Sequence, residues 1–404
     1  MKIISAKYIF VNNEFIEDSA ILFDNKIIKV DKLNNLKQEY PNTEVTIFSA
    51  NSVIYPGFIN PHTHLEFSAN QATLKYGSFI EWLYSVFEYR DKLVNKLTDE
   101  ILKDAINQML KSGVTTFGAI SSFGADLKAC KEAPQRVIYF NEVIGSSPAM
   151  VDALFQDFKM RLIESQKLKD NKFYPAVAIH SPYSVHPFLL REVLKIAKEQ
   201  NLMVTAHFLE SQAEREWLEN ASGDFKELFE EFFKTSTPVT SIKDFLHAFK
   251  EQKTLFTHCT QATKKELEEI NKNGSSIIHC PRSNRLLNCG KLDINSVENL
   301  LLGTDGLSSN YSLSILDELK SALIMHSNLN PKKLALTLIK SITTNASKAL
   351  NIKVGKIEES YFADFAIFKL PNDLSDKTKE SIALHTIINT QEATAVYIDG
   401  VEIK

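Results

Sequence analysis

Two histidines are the first residues of this chain whose types and spacing suggest chemistry. His62 and His64 stand two positions apart after the apolar run 53–59, and Asn60 and Pro61 are expected to end that strand at an open site. Side chains at positions i and i+2 of a strand point to the same face, so both imidazoles can bind one cation without a bend in the backbone. The pair alone is weak evidence, because two histidines this close also occur on ordinary loops.

The same pattern recurs along the chain, where apolar, strand-like runs end in a residue that can bind a metal or move a proton. Such runs end at His180, His207, His258, His279 and Asp305. Because the carboxyl ends of the strands form one mouth in a barrel of alternating strands and helices, these side chains are expected to meet there. The alternative is a core histidine that bonds a carbonyl group, and for His279 the two interpretations are equally good.

Three of these histidines and the aspartate would make a complete metal site. His62, His64 and His207 would supply neutral imidazoles and Asp305 a carboxylate, a set suited to zinc or ferrous iron with a position left for water. A carbamate-bridged pair of metals would need a lysine where the chain has His180. We therefore predict one divalent metal, zinc first and iron as the alternative. Asp305 taken alone could equally be a turn residue.

Two further residues could move the proton that a hydrolysis requires. Glu210 lies three residues after His207, and its carboxyl could take a proton from water and hand it to a leaving nitrogen. His258 could orient the attacking hydroxide or stabilise the addition intermediate. The predicted catalytic residues are therefore Glu210, His258 and Asp305.

The composition limits the partners. Charged residues make up 24% of the chain and the formal net charge is −4, so no strong field attracts nucleic acid or a membrane. The amino-terminal segment lacks the apolar core of a signal peptide and no run approaches transmembrane length, which predicts a cytoplasmic protein. Four cysteines without Cys-x-x-Cys spacing predict reduced thiols. Small molecules and water are the partners that fit.

The order of the predicted elements indicates an α/β protein. From residue 53 onward, strands alternate with amphipathic helical patterns, which is typical of a parallel α/β fold; these helical patterns lie at 99–112, 192–199 and 264–272. Short strands dominate both ends of the chain, at 2–10, 20–23, 26–30, 44–49, 363–370 and 393–404.

We predict a (β/α)8 TIM-like barrel at residues 53–354 and a small β-sandwich domain that both termini build, from residues 1–52 and 355–404. The acidic and aromatic segment 224–234 is expected to form a helix or a mobile flap over the mouth.

Four motifs give the chain its resemblance to the amidohydrolase superfamily, in its cytosine deaminase and chlorohydrolase-like branch. They are Pro56-Gly-Phe-Ile-Asn-Pro-His-Thr-His64, His207-Phe-Leu-Glu210, Thr257-His258-Cys259 and Gly303-Thr-Asp305. The likeness covers nearly the whole chain. It implies a mononuclear barrel enzyme in which Glu210 and Asp305 shuttle protons while His258 positions or polarises the reacting group. Triazine chlorohydrolases of this branch tend to lose the glutamate, so its presence favours deamination, in which ammonia must be protonated.

Two further segments carry a resemblance to deaminases of S-adenosylhomocysteine and methylthioadenosine. Ser78-Phe-Ile-Glu81-Trp82 and His180-Ser-Pro-Tyr183 are similar to their ribose-binding segments, which implies that Glu81 and His180 bind ribose. From the residue alone, a solvated helical position is the favoured interpretation of Glu81.

The segments 64–67 and 279–284 resemble instead the aminofutalosine deaminases of menaquinone biosynthesis. The implied substrate is 6-amino-6-deoxyfutalosine, which carries a benzoate at its 5′ end. Arg282 could bind that carboxylate with two parallel hydrogen bonds or could brace a loop, and Arg136 and Arg285 are weaker candidates. Glu66 could contact the purine edge or support a ligand histidine.

The first hypothesis is therefore a metal-dependent deaminase of a 5′-substituted adenosine, with 6-amino-6-deoxyfutalosine first and S-adenosylhomocysteine, methylthioadenosine or 5′-deoxyadenosine as alternatives. A guanine, cytosine or triazine aminohydrolase is the rival enzyme, and a barrel that serves only as a scaffold is the rival of another class. The resemblance alone implies a homodimer.

Overall fold

A computed structural model gives the architecture of the chain and describes residues 1–70, 72–372 and 374–404. The chain divides into two compact units. The first comprises Met1–Asn60, Ile106–Phe117 and Ser314–Lys404, and the second comprises Pro61–Ala105 and Gly118–Leu313. The domain boundaries predicted from the sequence, after residues 52 and 354, stay a prediction.

The amino-terminal segment forms short strands and one short helix. These are β1 Lys2–Ser5, β2 Tyr8–Val11, β3 Glu14–Glu17, β4 Ser19–Phe23, β5 Ile27–Lys32, α1 Leu33–Glu39, β6 Glu44–Ile47 and β7 Ser52–Pro56.

The central segment alternates strands and helices. Its strands are β8 Phe58–Thr63, β9 Val114–Ser121, β10 Arg136–Val143, β11 Phe173–Ile179, β12 Val204–Phe208, β13 Thr254–His258, β14 Ser276–His279 and β15 Leu300–Leu302. Its helices are α2 Phe79–Asn95, α3 Asp99–Lys111, α4 Leu127–Glu132, α5 Val151–Lys167, α6 Pro187–Glu199, α7 Gln212–Asn220, α8 Asp224–Phe232, α9 Ile242–Ala248, α10 Lys264–Lys272 and α11 Pro281–Leu286.

The carboxyl-terminal segment begins with helices and returns to strands. It contains α12 Ile315–Met325, α13 Pro331–Ser341, α14 Thr344–Leu350, β16 Phe365–Lys369, α15 Lys379–Asn389, β17 Ala395–Ile398 and β18 Val401–Glu402.

The central strands form the (β/α)8 barrel that the sequence predicts. The eight-stranded sheet runs in chain order from β8 to β15, and the neighbours from β10 to β15 pair in parallel. These strands are almost continuously buried, as expected for a parallel sheet that helices cover. The backbone N–H of Asp305 donates to the carbonyl of His62 at 3.1 Å, which brings the chain beyond β15 back to β8 and nearly closes the sheet.

Two antiparallel-rich sheets from the chain ends form the predicted β-sandwich. One has the strand order β5-β4-β1-β6 and the other β18-β17-β16-β7-β2-β3. Buried side chains of both sheets share one core, in which the rings of Phe23 and Phe365 are 5.2 Å apart between centroids. Apolar contact between two sheet faces is what stabilises such a sandwich.

Three local predictions are wrong in detail. The strand expected at 2–10 breaks into β1 and β2, which join different sheets; the apolar pattern is continuous across the break and does not reveal it. Strand β8 continues through Pro61 to Thr63, because the φ of proline is compatible with a strand and only one N–H donor is lost. Helix α6 begins before residue 192, at Pro187, where the His186 side chain accepts from the N–H of Phe188.

The other helical predictions are confirmed. Helix α10 has the predicted bounds and begins with a capping box between Thr263 and Glu266, and α3 ends one residue before the predicted end. Segment 224–234 contains α8. All four cysteines are free and buried. Within residues 1–70, 72–372 and 374–404, helices long and apolar enough to cross a membrane are absent.

Candidate metal centre and active site

Three histidines and an aspartate meet at the carboxyl ends of the barrel strands. His62 lies in β8, His64 directly follows it, His207 lies in β12 and Asp305 follows β15. The Nε2 atoms of His64 and His207 are 3.3 Å apart. Oδ1 of Asp305 is 3.7 Å from Nε2 of His62 and 3.6 Å from Nε2 of His64. The structure therefore brings together all four residues that the sequence predicted as metal ligands.

These separations fit a small divalent cation between the four side chains. Zinc binds imidazole nitrogen and carboxylate oxygen at about 2.0–2.2 Å, so neighbouring ligand atoms of a tetrahedral site lie about 3.3–3.6 Å apart. Nε2 of His62 is buried and has no hydrogen-bond partner among the described residues. A bound cation would give this nitrogen a partner and remove the free-energy cost of an unpaired buried polar atom.

Groups behind the ligands fix their orientation. Nδ1 of His207 donates to the carbonyl of His180 at 2.7 Å, which leaves the lone pair of Nε2 for a metal. Burial lowers the pKa of His207 to about 3, so its imidazole is neutral, as a metal ligand must be. Oδ2 of Asp305 accepts hydrogen bonds from the hydroxyls of Ser283 and Ser309 at 2.8 and 3.0 Å.

Glu210 and His258 lie beside this cluster, and both are buried. Nε2 of His258 is 3.4 Å from Oε2 of Glu210 and 4.0 Å from Oδ2 of Asp305. The amide of Asn284 donates to Nδ1 of His258 at 2.9 Å, which puts the imidazole proton on Nε2, towards the carboxylates. Burial, with repulsion from Asp305 and Glu214, raises the pKa of Glu210 well above its ordinary value. A buried carboxyl with a raised pKa next to an N–H donor is suited both to take up a proton and to deliver it.

The backbone at two strand ends adopts a conformation that is uncommon for residues other than glycine. Leu209 has a φ of 47° and His258 a φ of 73°, both in the left-handed region. The carboxylate of Glu214 accepts hydrogen bonds from the N–H groups of Leu209 and Glu210 at 3.1 and 2.7 Å. Glu214 therefore holds the strained turn that carries Glu210, because such strain persists only where the surroundings fix it.

A cavity of about 640 Å³ connects the cluster with a set of aromatic side chains. We call its part at the cluster the inner end, which is lined by His64, His207, Glu210, His258 and Asp305. We call its more exposed part the outer arm, which is lined by Phe87, Arg90, Phe123, Phe232 and Phe233.

Glu142 and His180 also line this cavity. Glu142 lies on β10 and is 1% exposed; its Oε2 accepts a hydrogen bond from the hydroxyl of Ser122. Its Oε1 has no hydrogen-bond partner among the described residues and lies 3.9 Å from Nδ1 of His207. Nδ1 of His180 is 2.5 Å from the hydroxyl of Ser184. The cavity therefore contains a buried carboxylate with one unused oxygen, near an imidazole that a serine orients.

The structure does not bring Glu81 to this cavity. On α2 the cavity is lined by Trp82, Leu83, Val86, Phe87 and Arg90, which share one helical face. Glu81 lies off that face, is exposed, and lines a neighbouring surface pocket that shares Phe87 and Phe232 with the cavity. The ribose contact of Glu81 stays a prediction.

Two other predicted substrate contacts have different partners. The Glu66 carboxylate accepts from the backbone N–H groups of Ser122, Phe123 and Ala125, so it anchors the loop after β9; its contact with substrate stays a prediction. Arg282 is 3% exposed; its guanidinium donates to the carbonyl of residue 312 at 2.8 Å and lies over the ring of residue 311. Arg282 therefore braces a loop, the alternative that its residue type left open.

Several site residues were missed at the sequence level. Ser283 and Asn284 stand next to Arg282 in the same segment, but only the structure reveals that they contact Asp305 and His258. Glu142 did leave a signal, because it and Asn141 interrupt the apolar run 137–143 near its end. A buried acidic residue next to the carboxyl end of a barrel strand is the kind of placement that marks a functional group.

A (β/α)8 barrel whose mouth holds three histidines and a carboxylate, with a buried glutamate beside them, indicates a metal-dependent hydrolase. The Amidohydrolase family model matches residues 53–403. The chain belongs to the amidohydrolase family, and it is a hydrolase that acts on carbon–nitrogen bonds other than peptide bonds.

Individual relatives match along the whole chain. A protein of Nitratiruptor sp. named aminodeoxyfutalosine deaminase is 44% identical over 404 residues, which cover 100% of this chain and 99% of the relative. A protein of Helicobacter pylori named adenosine deaminase is 35% identical, over 99% of this chain and 98% of its own length. The crystal structure of Helicobacter pylori aminofutalosine deaminase in complex with methylthio-coformycin has a TM-score of 0.95, 35% identity and 100% coverage of both chains.

Proposed function

We propose that the protein catalyses the metal-dependent hydrolytic deamination of a 5′-substituted adenosine, with 6-amino-6-deoxyfutalosine, an intermediate of menaquinone biosynthesis, as the first substrate. The observation that carries the proposal is the pairing of a convergent ligand set with Glu210, 3.4 Å from His258. The 44% identity to a relative named aminodeoxyfutalosine deaminase supports the choice of substrate.

The four converging side chains His62, His64, His207 and Asp305 would hold one divalent metal. Neutral imidazoles with one carboxylate suit zinc, and ferrous iron is the alternative. When it is bound, the metal makes a water molecule nucleophilic near neutral pH.

The proton-transfer roles belong to Glu210 and His258. Glu210 takes one proton from the attacking water and delivers it to the leaving nitrogen of the purine. A C6–O bond forms, the C6–N bond breaks and ammonia leaves. The second proton of the water moves from the oxygen to N1 of the ring, which gives the inosine-type product. The Nε2–H of His258, which Asn284 orients, donates to the oxygen that adds to C6.

Glu142 and His180 provide the sugar contacts that the sequence had assigned to Glu81 and His180. An ionised carboxylate oxygen accepts hydrogen bonds from hydroxyl groups, and an imidazole can donate or accept one. The supporting observation is that Oε1 of Glu142 is buried at the cavity without a partner among the described residues. A ribose hydroxyl would satisfy it.

Other nucleosides are the alternative substrates within the same reaction. They are S-adenosylhomocysteine, methylthioadenosine, 5′-deoxyadenosine and adenosine; the 35% identity to a relative named adenosine deaminase keeps adenosine among them. A cytoplasmic location and a homodimeric state stay predictions of the sequence.

The reaction can be tested with isotope-labelled water. Metal-loaded enzyme is incubated with 6-amino-6-deoxyfutalosine in ¹⁸O-water, and we expect one ammonia per turnover and one ¹⁸O in the purine of the product. A product without the label, or bond cleavage elsewhere in the nucleoside without ammonia release, would contradict the proposal.

A further inference from the structure

The outer arm is aromatic where the inner end is polar. A path of rings leads from the metal cluster to this arm, with each centroid within 6.5 Å of the next. The consecutive pairs are His207–His180 at 5.2 Å, His180–Tyr183 at 5.9 Å, Tyr183–Phe229 at 6.5 Å, Phe229–Phe233 at 5.1 Å and Phe233–Phe87 at 5.9 Å. All of these side chains line the cavity. Such walls favour a flat, apolar group.

Arg90 lies at the end of this path. It follows Phe87 by three residues on α2, so the two side chains share one face of the helix. Among the described residues that line the cavity, Arg90 is the one arginine or lysine. The side chain is 42% exposed, and its Nε contacts Oδ1 of Asp91 at 3.1 Å. Asp91 is itself 85% exposed, so this surface ion pair is weak and does not occupy the far edge of the guanidinium.

The charges along the cavity are arranged asymmetrically. Its described acidic residues are Glu142, Glu210 and Asp305, which lie at or next to the inner end. Among the described residues, the lining of the outer arm therefore offers a cation but no anion. Glu81 and Glu88 line a neighbouring pocket that shares Phe87 and Phe232 with the arm. A single carboxylate would find its partner in Arg90, whereas a zwitterionic amino-acid tail would meet one cation and no described anion in this lining.

We propose that Arg90 binds a carboxylate at the far end of the 5′ substituent, so that the outer arm selects nucleosides with a flat aromatic acid. This inference rests on the proposed deamination and refines its substrate. A planar guanidinium can meet a carboxylate with two parallel hydrogen bonds, which fixes both its position and its orientation. The role that the sequence gave to Arg282 thus belongs to Arg90.

The test varies the side chain at position 90 and the charge of the substrate independently. Wild type and Arg90→Gln are compared on 6-amino-6-deoxyfutalosine, on its methyl ester and on methylthioadenosine. We expect the variant to lose about 10- to 100-fold in kcat/KM on the acid, mostly through KM, because a charged hydrogen bond is lost. On the ester and on methylthioadenosine the change should stay within about threefold.

Two controls keep the result specific. Arg90→Lys should recover part of the activity on the acid, since the charge remains but the two-pronged geometry does not. Arg191→Gln, on α6 with a side chain that is 70% exposed, should change none of the three substrates.

Failure of the inference can be told apart from failure of the proposed function. Equal losses of Arg90→Gln on acid and ester, or no loss on the acid, would overturn the role of Arg90 while leaving the deaminase in place. A wild type that deaminates methylthioadenosine but not the acid would overturn both the substrate and the role of Arg90. A wild type without ammonia release from any nucleoside would overturn the deamination itself.

Discussion

The two ends of the cavity are built by opposite means. At the inner end, buried polar groups on the barrel strands are each held by a further partner, as Asn284 holds His258 and Ser283 holds Asp305. At the outer arm, partly exposed aromatic side chains on α2, at the end of α8 and in the loop after β9 share the lining with a single arginine, and Phe232 and Phe233 are 44% and 41% exposed.

This contrast in construction indicates that the inner end performs the reaction and the outer arm sets the selectivity. Chemistry needs groups fixed to within fractions of an ångström, which rigid strand ends and their hydrogen-bond partners provide. Selection of a substituent needs only a wall of matching shape and charge, which a helix face can provide. The residues of such a wall can vary without harm to the reaction. Changes at the inner end should therefore reduce kcat on all substrates, and changes at the outer arm should act on KM for some of them.

The largest effect is expected at the inner end from Glu210→Gln. Without the proton carrier, kcat should fall by about 10²- to 10⁴-fold on all nucleosides, since that is what general acid–base catalysis contributes. Metal content, measured by elemental analysis, should be unchanged, because Glu210 is not one of the four ligands. A variant that keeps most of its turnover would refute the proton-transfer role.

The next effect concerns the middle of the cavity. Glu142→Gln should lower kcat/KM by about 10- to 100-fold on adenosine, because the amide offers the ribose hydroxyls one acceptor oxygen in place of the two of the carboxylate. The same comparison is made on 2′-deoxyadenosine and 3′-deoxyadenosine. The loss in kcat/KM should be much smaller on the one that lacks the hydroxyl bound by Glu142. Equal losses on all three nucleosides would mean that Glu142 supports the metal cluster and not the sugar.

A smaller effect is expected from Phe233→Ala in the outer arm. The loss of one aromatic contact should raise KM for an aryl-substituted nucleoside by about 3- to 10-fold and leave adenosine unchanged. Tyr89→Ala is the matched control, because Tyr89 lies on α2 but is not among the described residues that line the cavity. An equal loss on adenosine would show that the arm and the inner end are not separate.

The smallest effect is expected from Glu81→Gln, although the family resemblance implies that Glu81 binds ribose. Glu81 is exposed and lines a neighbouring surface pocket instead of the cavity, so kcat/KM should change by no more than about twofold on any substrate. Side-by-side assays of Glu81→Gln and Glu142→Gln decide which carboxylate binds the sugar. A large loss in the first and none in the second would restore the assignment from the motif.

The sequence predicted the inner end far better than the outer arm. His62, His64, His207 and Asp305 follow apolar runs, and the geometry of a barrel sends all strand ends to one mouth, so their meeting could be inferred from periodicity. The side chains on α2 depend on how that helix is rotated about its axis. A shift of one residue exchanges Glu81 for Trp82 at the cavity, and the pattern of the sequence does not fix that rotation.

Hydrogen-bond partners between distant segments were equally inaccessible. The position of Glu66 after His64 suggested two roles. Its partners in the structure are the backbone N–H groups of residues 122, 123 and 125, and backbone groups cannot be recognised from residue types. Arg282 was chosen for its charge, whereas Arg90 became a candidate only when its place on the cavity wall was known.

The most direct measurement is a competition assay with metal-loaded enzyme and an equimolar mixture of 6-amino-6-deoxyfutalosine, S-adenosylhomocysteine, methylthioadenosine, adenosine, guanine and cytosine. Mass spectrometry follows the disappearance of each compound together with the release of ammonia. Our account predicts that the benzoate-bearing nucleoside is deaminated first and that the free bases remain. Deamination of guanine or cytosine alone, or of no compound in the mixture, would contradict it.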